Sequence, residues 1–292
     1  MNFISATEDD ESDGKEILLI SFIGTDPNSN TLPTSPLEQI PRSGTNILRD
    51  TLCTSNLFKT WDCDEINYIW RIGSAFETTD ELQKNNLTKY KKNYIINSFR
   101  KVIKSNENHQ EDIFVVEKTC ANCLRLEYVF EIFPKANYIY IKRDPYDSIS
   151  SIKERWRGTI SNKYLYKKAK YIPKMDFPYY VLRYFSHRLI KKISKSKELP
   201  SWGPRFKNID NFRKEKSLIE TCAKQWYECT YQVENSIERL KSRKIKIHEL
   251  TYENFVYNPL KSLSEINNFL NLNNNKFSID SINVFSVGKG KN

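Results

Sequence analysis

Short apolar runs along the chain predict buried strands, and residues with helical spacing lie between them. Nearly continuous apolar runs at 17–24, 113–116 and 138–141 are typical of strands inside a parallel sheet, which is covered on both faces. Helical spacing predicts helices at 46–57 and 124–133 in the intervals. This alternation is that of βαβ units, and it predicts an α/β fold with a parallel sheet.

Further helices and one loop are predicted elsewhere in the chain. A charged, Asn-rich region at 80–110 has the spacing of a surface helix, and Asp144 with Pro145 is typical of an N-cap followed by a first helical residue. Apolar residues within 219–240 recur at steps of three, four or seven, which favours a core-facing helix. Residues 25–40 are rich in Pro, Ser, Thr and Asn and predict a loop, either inserted or ending in a short strand.

Composition and charge are typical of a globular protein that binds anions. The chain has 292 residues, 39% of them apolar, and has neither a membrane-spanning run nor a secretion signal, so we expect a cytoplasmic protein with reduced cysteines. Residues 1–16 hold six acids against one lysine, which predicts a disordered acidic tail before a single domain at 17–292. That domain carries 45 basic and 30 acidic residues, a net charge of +15. This excess fits nucleic acid, an acidic lipid surface or a polyphosphorylated small ligand, and a solvated Lys-rich surface is the alternative.

The sequence PRSGTN at 41–46 precedes a helical pattern and predicts a phosphate-binding loop. Gly44 lets the backbone approach a ligand closely, and the helix N-terminus adds partial positive charge. Arg42 is the loop's cation, and the Gly-Lys-Ser/Thr of magnesium-dependent loops is absent, so the loop is expected to hold a phosphate without a metal. An ordinary turn capped by Ser43 or Thr45 is the alternative.

Charged residues follow two predicted strands at their carboxyl ends. Glu117, Lys118 and Thr119 follow the second strand, and Arg143 follows the third, with Ser151 eight residues later on a helix. Ligands of open parallel sheets bind at this edge, so Arg143 and Ser151 predict a second phosphate contact. A surface arginine with an exposed serine is the alternative.

These motifs resemble the sulfotransferase family that uses 3′-phosphoadenosine 5′-phosphosulfate as its sulfuryl donor. The resemblance rests on PRSGTN, EKT, FPKANYIYIKRDPYDSISS and LTYENF with Asn258-Pro259, in the family's order, and it covers about residues 40–270. The resemblance implies binding of the 5′ phosphosulfate by Arg42, Ser43, Gly44, Thr45 and Asn46.

The same resemblance implies roles for four further residues. Arg143 and Ser151 have the spacing of the family's 3′-phosphate pair, and Tyr252 matches a tyrosine that lies near the adenine. Lys118 matches the lysine of the family's KT segment and is expected, with Arg42, to stabilise charge on the transferring group. No metal is implied. The Gly- and Lys-rich end at 288–291 is a candidate for the family's closing loop.

The general base is implied at a position that differs between branches of the family. The cytosolic small-molecule branch has a His two residues after the lysine, where this chain has Cys120. The branch of tyrosylprotein and heparan enzymes has a Glu some twenty residues after the phosphate loop, where this chain has Asp64 and Glu65. Glu65 is the predicted base with Asp64 in reserve, and a solvated acid or helix cap is the alternative.

Cysteine spacing offers little support for a metal site. Cys120 and Cys123 form a CxxC pair, but none of the histidines at 109, 187 and 248 stands at finger spacing from it.

The sequence thus predicts a sulfotransferase with a P-loop-like parallel sheet and helices on both faces. It would move a sulfuryl group from the nucleotide to an acceptor hydroxyl or amine whose identity the sequence leaves open. Nucleic acid is not an expected partner of such an enzyme. Two alternatives stay open: another P-loop phosphotransferase, which needs magnesium, and a non-catalytic binder of nucleic acid or polyanions.

Overall fold

The computed structural model describes residues 17–22, 44–104, 113–158, 162–194, 199, 201–272, 275–280 and 282. Several predicted features lie outside these residues, namely the acidic tail, the loop at 25–40, Arg42, Ser43 and the chain end at 288–291.

Five parallel strands form one sheet. The strands are β1 (Ile17–Phe22), β2 (Phe58–Lys59), β3 (Phe114–Glu117), β4 (Asn137–Lys142) and β5 (Lys246–Thr251). Their order is β2-β3-β1-β4-β5, and every neighbouring pair is parallel. The predicted α/β class and parallel sheet are therefore confirmed.

Eleven α-helices are present in the described part of the chain. The helices before β4 are α1 (Gly44–Leu52), α2 (Asn67–Trp70), α3 (Lys89–Lys104) and α4 (Leu126–Ile132). The later helices are α5 (Pro145–Arg157), α6 (Asn162–Ala169), α7 (Phe177–Ser194), α8 (Ile209–Glu215), α9 (Leu218–Lys241), α10 (Tyr252–Tyr257) and α11 (Pro259–Phe269).

The two edge strands are those that the apolar pattern did not predict. β2 has only two residues, Phe58 and Lys59, which is too short for a periodic signal. β5 reads KIHELT, and most of its side chains are exposed or half-buried. An edge strand has a strand neighbour on one side only and can carry fewer apolar side chains than a central strand. It therefore lacks the continuous apolar run that predicts a buried strand.

Helix α1 ends earlier than its predicted limit at residue 57. The Thr54 hydroxyl donates to the carbonyl of Thr51 at 2.6 Å, and the backbone N–H of Ser55 bonds the carbonyl of Leu52 at 3.1 Å. Hydroxyl residues compete for helical hydrogen bonds in this way and favour turns. The turn brings the chain to β2 at Phe58, and the prediction of a helix through residue 57 was wrong.

The cap that the sequence predicts for helix α5 is present. Asp144 caps α5 by accepting from the backbone N–H groups of Tyr146 and Asp147, with Pro145 at the first position.

The region at 80–110 contains α3, but Ile95 and Phe99 of that helix are fully buried. The helix is therefore part of the core as well as of the surface.

Candidate active site

The predicted site residues follow five strands that all end at the same edge of the sheet. Helix α1 begins at Gly44 after β1, and Glu65 lies in the turn after β2. Lys118 follows β3, Arg143 follows β4, and Tyr252 opens α10 directly after β5. Because parallel strands share one carboxyl edge, motifs that are far apart in sequence are brought to one side of the sheet.

Lys118 and Glu65 form an ion pair at this edge. The Nζ of Lys118 lies 2.9 Å from Oε1 of Glu65, and the backbone N–H of Cys120 donates to the same oxygen at 3.4 Å. The Lys118 side chain is only 3% exposed, whereas that of Glu65 is 23% exposed. The carboxylate therefore contacts a buried cation while its own side chain is partly exposed.

A second lysine approaches Glu65 from helix α6. The Nζ of Lys168 lies 3.9 Å from Oε2 of Glu65 and 3.5 Å from Oδ1 of Asp64. Burial by itself raises the pKa of Glu65, but the ammonium groups of Lys118 and Lys168 outweigh it and lower that pKa to about 2. Glu65 is therefore ionised at neutral pH. If one of the two ammonium groups moved away, the pKa of Glu65 would rise and its carboxylate would become a stronger base.

Asp64 shares Lys168 with Glu65 and has two further partners of its own. Its Oδ2 accepts a hydrogen bond from the Tyr164 hydroxyl at 3.1 Å, and its backbone carbonyl accepts from Arg49 of α1 at 3.0 Å. The carboxylate of Asp62 accepts from the hydroxyl of Tyr171, just beyond α6. Helices α1 and α6 thus clamp the acidic turn that carries Glu65.

The EKT segment fixes the turn from the sheet side. The Thr119 hydroxyl accepts from the backbone N–H of Ile66 at 3.2 Å and donates to Oε1 of Glu117 at 2.5 Å. The other oxygen of Glu117 accepts from the side-chain amide of Asn122 at 2.9 Å. All four residues are buried, so Thr119 locks the peptide next to Glu65 to the end of β3.

Sequence reasoning assigned no role to Glu117, Thr119 or Arg49. The signal for Glu117 was its place in the apolar run of β3, where a carboxylate is buried with hydrogen-bond partners or protonated. Burial raises the pKa of Glu117 to about 7, although its hydrogen bond with Thr119 acts in the opposite direction. Arg49 gave no signal because its contact with Asp64 crosses from one element to another.

Cys120 stands where another branch of the family has a histidine, and its chemistry differs. Its sulfur lies 3.8 Å from Nζ of Lys118. Burial raises the pKa of the thiol despite the nearby ammonium group, so the thiol is protonated at neutral pH and is not a general base. Cys120 and Cys123 are free thiols, and no cluster of three or more His, Cys, Asp or Glu suited to a metal lies within the described ranges.

Arg143 and Tyr252 are in direct contact. The guanidinium carbon of Arg143 lies 4.4 Å from the centre of the Tyr252 ring, and Nη2 lies 3.9 Å from Oδ2 of Asp147. Tyr252 is fully buried in this arrangement and supports the guanidinium. Contact of Tyr252 with an adenine stays a prediction, as does the pairing of Arg143 with the half-buried Ser151 of α5.

Only part of the predicted phosphate loop lies within the described residues. Gly44 is the first residue of α1, Thr45 is fully buried and Asn46 is half-buried. Helix α1 is described from Gly44 onward, close to the predicted start at residue 46. The roles of Thr45 and Asn46 in binding a phosphosulfate stay predictions.

Comparison with known proteins supports the family resemblance. Residues 40–172 match the sequence profile described as the Sulfotransferase family, and this range contains the phosphate loop, Glu65, Lys118, Arg143 and Ser151. The resemblance to sulfotransferases is thereby confirmed. No curated protein matches the chain.

Three solved structures align with the chain, each at low sequence identity and with a TM-score below 0.5. The sulfotransferase domain from the curacin biosynthetic pathway has 15% identity and a TM-score of 0.45, covering 88% of this chain and 74% of its own. The sulfotransferase domain of the Synechococcus PCC 7002 olefin synthase has 13% identity and a TM-score of 0.46, with coverages of 96% and 89%. A sulfotransferase from Alicyclobacillus acidocaldarius has 12% identity and a TM-score of 0.41, with coverages of 82% and 80%.

Proposed function

We propose that the chain is a sulfotransferase that takes its sulfuryl group from 3′-phosphoadenosine 5′-phosphosulfate and transfers it to an acceptor hydroxyl or amine. The observation that carries this proposal is the Lys118–Glu65 pair at the carboxyl edge of the sheet. The pair combines a buried cation, which could stabilise the negative charge of a phosphosulfate, with a partly accessible carboxylate, which could take up the proton of the acceptor. Both residues lie within the stretch that matches the sulfotransferase family.

We further propose a P-loop-like arrangement of the sheet within one domain at 17–292. The connection from β1 runs to β2 on one side, whereas the later connections run the opposite way across the sheet. Right-handed crossovers would then place helices on both faces, with the reversal at β1. Ligands of such sheets bind at the reversal, where α1 begins at Gly44. PRSGTN would thus cradle the 5′ phosphosulfate.

Proton transfer and sulfuryl transfer would be coupled through Lys118. When the phosphosulfate arrives, Lys118 turns from Glu65 toward the oxygens of the transferring group, and the pKa of Glu65 rises because a cation has left it. Glu65 then accepts the acceptor's proton as a new S–O or S–N bond forms. The bond from sulfur to the bridging oxygen breaks, and 3′,5′-adenosine bisphosphate leaves with the electron pair, stabilised by Lys118 and Arg42.

The 3′ phosphate would bind at the end of β4. Arg143 is held on the buried ring of Tyr252, and Ser151 follows on α5 at the family's spacing. A guanidinium fixed in this way loses little side-chain freedom on binding a phosphate. The main role of Tyr252 would be to hold the guanidinium of Arg143 in position for this phosphate.

A ligand comparison tests the proposal directly. Isothermal titration should show tight binding of 3′,5′-adenosine bisphosphate, weaker binding of 5′-AMP and no gain from magnesium. Preference for ATP with magnesium would support a phosphotransferase instead. Weak binding of all three nucleotides together with salt-sensitive RNA binding would support a polyanion binder.

A further inference from the structure

Helix α7 carries a row of large apolar side chains that the core does not bury. Leu182, Phe185 and Leu189 are 71%, 63% and 60% exposed. Their spacing of three and four residues places them on one face of the helix, and we call these three residues the α7 stripe. Single exposed apolar residues are ordinary, but a row of this kind marks a surface that contacts a partner or a membrane.

The start of α7 is anchored, so the stripe has a defined position on the protein. Asp176 accepts a hydrogen bond from the backbone N–H of Gly73 at 3.0 Å. The rings of Tyr180 and Tyr68 lie 4.5 Å apart, as do those of Tyr179 and Phe76. No helix or strand of the described chain makes extensive contact with α7.

The charge of α7 identifies the kind of surface that the stripe would meet. The sequence FPYYVLRYFSHRLIKKIS contains two arginines and two lysines and no acidic residue. Its aromatic residues are concentrated in the first half of the helix. Aromatic rings with a polar end, such as those of tyrosine, are enriched at the interface between water and lipid. A cationic helix with an exposed apolar face is the usual form of a segment that lies in the plane of an anionic bilayer.

We propose that α7 docks this protein on an anionic membrane surface, with the α7 stripe inserted among the lipid chains. The helix lies on the membrane and does not cross it, which agrees with the finding that no helix in the described residues is long and apolar enough to span one. A bilayer fits the α7 stripe better than a protein partner does. The stripe projects from the convex surface of a helix, and a flat fluid surface can receive all three of its side chains. The proposal does not depend on the transfer reaction.

Vesicle sedimentation tests the proposal. The full chain should bind vesicles of phosphatidylcholine with phosphatidylserine roughly tenfold more tightly than vesicles of phosphatidylcholine alone, and added salt should weaken the binding. The double variant Leu182→Ser/Phe185→Ser should lose at least about tenfold in binding. These side chains are exposed, so unfolding temperature and nucleotide affinity should stay unchanged.

A matched control is available on helix α9. Tyr227 and Tyr231 are a stacked, exposed pair on a helix that also carries several glutamates, and Tyr227→Ser/Tyr231→Ser should bind vesicles like the unchanged chain. Equal losses in the two double variants, or no binding by the unchanged chain, would overturn the proposal. So would a dimer in light scattering that the Leu182→Ser/Phe185→Ser change dissociates, because the stripe would then be a protein interface.

Discussion

The ammonium group of Lys118 lies 2.9 Å from the carboxylate of Glu65, a residue 53 positions earlier in the chain. The first comes from the end of β3 and the second from the turn after β2, and these two strands are neighbours in the sheet. The pair is therefore a product of strand order. It supplies the proposed reaction with a cation and a carboxylate, each of which stabilises the charged form of the other.

Glu65→Gln tests the proposed base. Glutamine keeps the size of the side chain but cannot accept the acceptor's proton, so turnover should fall by roughly 100-fold to 10,000-fold with near-normal binding of 3′,5′-adenosine bisphosphate. The measurement is steady-state turnover with a competent acceptor beside nucleotide titration.

Asp64→Asn is the matched control for this test. Asp64 is bound by Tyr164 and Lys168 and should matter much less for turnover. Normal turnover in the Glu65 variant would remove Glu65 from the mechanism, and a collapse confined to the Asp64 variant would give the role to Asp64.

Arg143→Ala tests the 3′-phosphate contact. Loss of a charge-assisted contact should weaken 3′,5′-adenosine bisphosphate by about 1.5 to 3 kcal/mol and leave 5′-AMP almost unchanged. Tyr252→Leu should have a smaller effect in the same direction, since it removes the ring under the guanidinium. Equal weakening of both nucleotides by Arg143→Ala in calorimetry would reject the assignment.

Thr119→Val tests whether the EKT segment positions the turn that carries Glu65. Valine leaves the buried N–H of Ile66 without its acceptor, which should cost about 1 to 3 kcal/mol of unfolding free energy in urea. Thr119→Ser retains the hydroxyl and should recover most of that loss as well as the turnover. If valine and serine are equally stable, the hydrogen bond to Ile66 does not hold the turn.

Glu65 and Glu117 should give opposite pH dependences of stability. The pKa of Glu65 is lowered to about 2, so its contribution is present above the unfolded pKa near 4.5 and is lost as pH falls toward 2. The pKa of Glu117 is raised to about 7, so its contribution is present below 4.5 and is lost as pH rises through 7.

Urea unfolding across pH, with the variants Glu65→Gln and Glu117→Gln, checks both signs. The stability difference between the unchanged chain and Glu65→Gln should shrink as pH is lowered, and the difference from Glu117→Gln should shrink as pH is raised. A Glu65 difference that stays constant down to pH about 2 would contradict the ion pairs with Lys118 and Lys168.

Local sequence patterns determined the central strands, the α5 cap and the order of the site motifs. Apolar runs predicted β1, β3 and β4 because a strand covered on both faces must be apolar throughout, and Asp144 with Pro145 predicted the start of α5 because a cap satisfies neighbouring backbone groups. The same information failed for the edge strands β2 and β5, which carry no such requirement.

Only the tertiary structure decided how the motifs combine. The sequence placed Glu65 near a family position, but its contacts with Lys118 and Lys168 depend on strand order and on the packing of α6. Likewise, Thr119 is one hydroxyl in a short motif until the turn at Ile66 folds against it. Local periodicity records which side of an element is buried, whereas partners distant in sequence, and the pKa shifts they cause, arise when the sheet assembles.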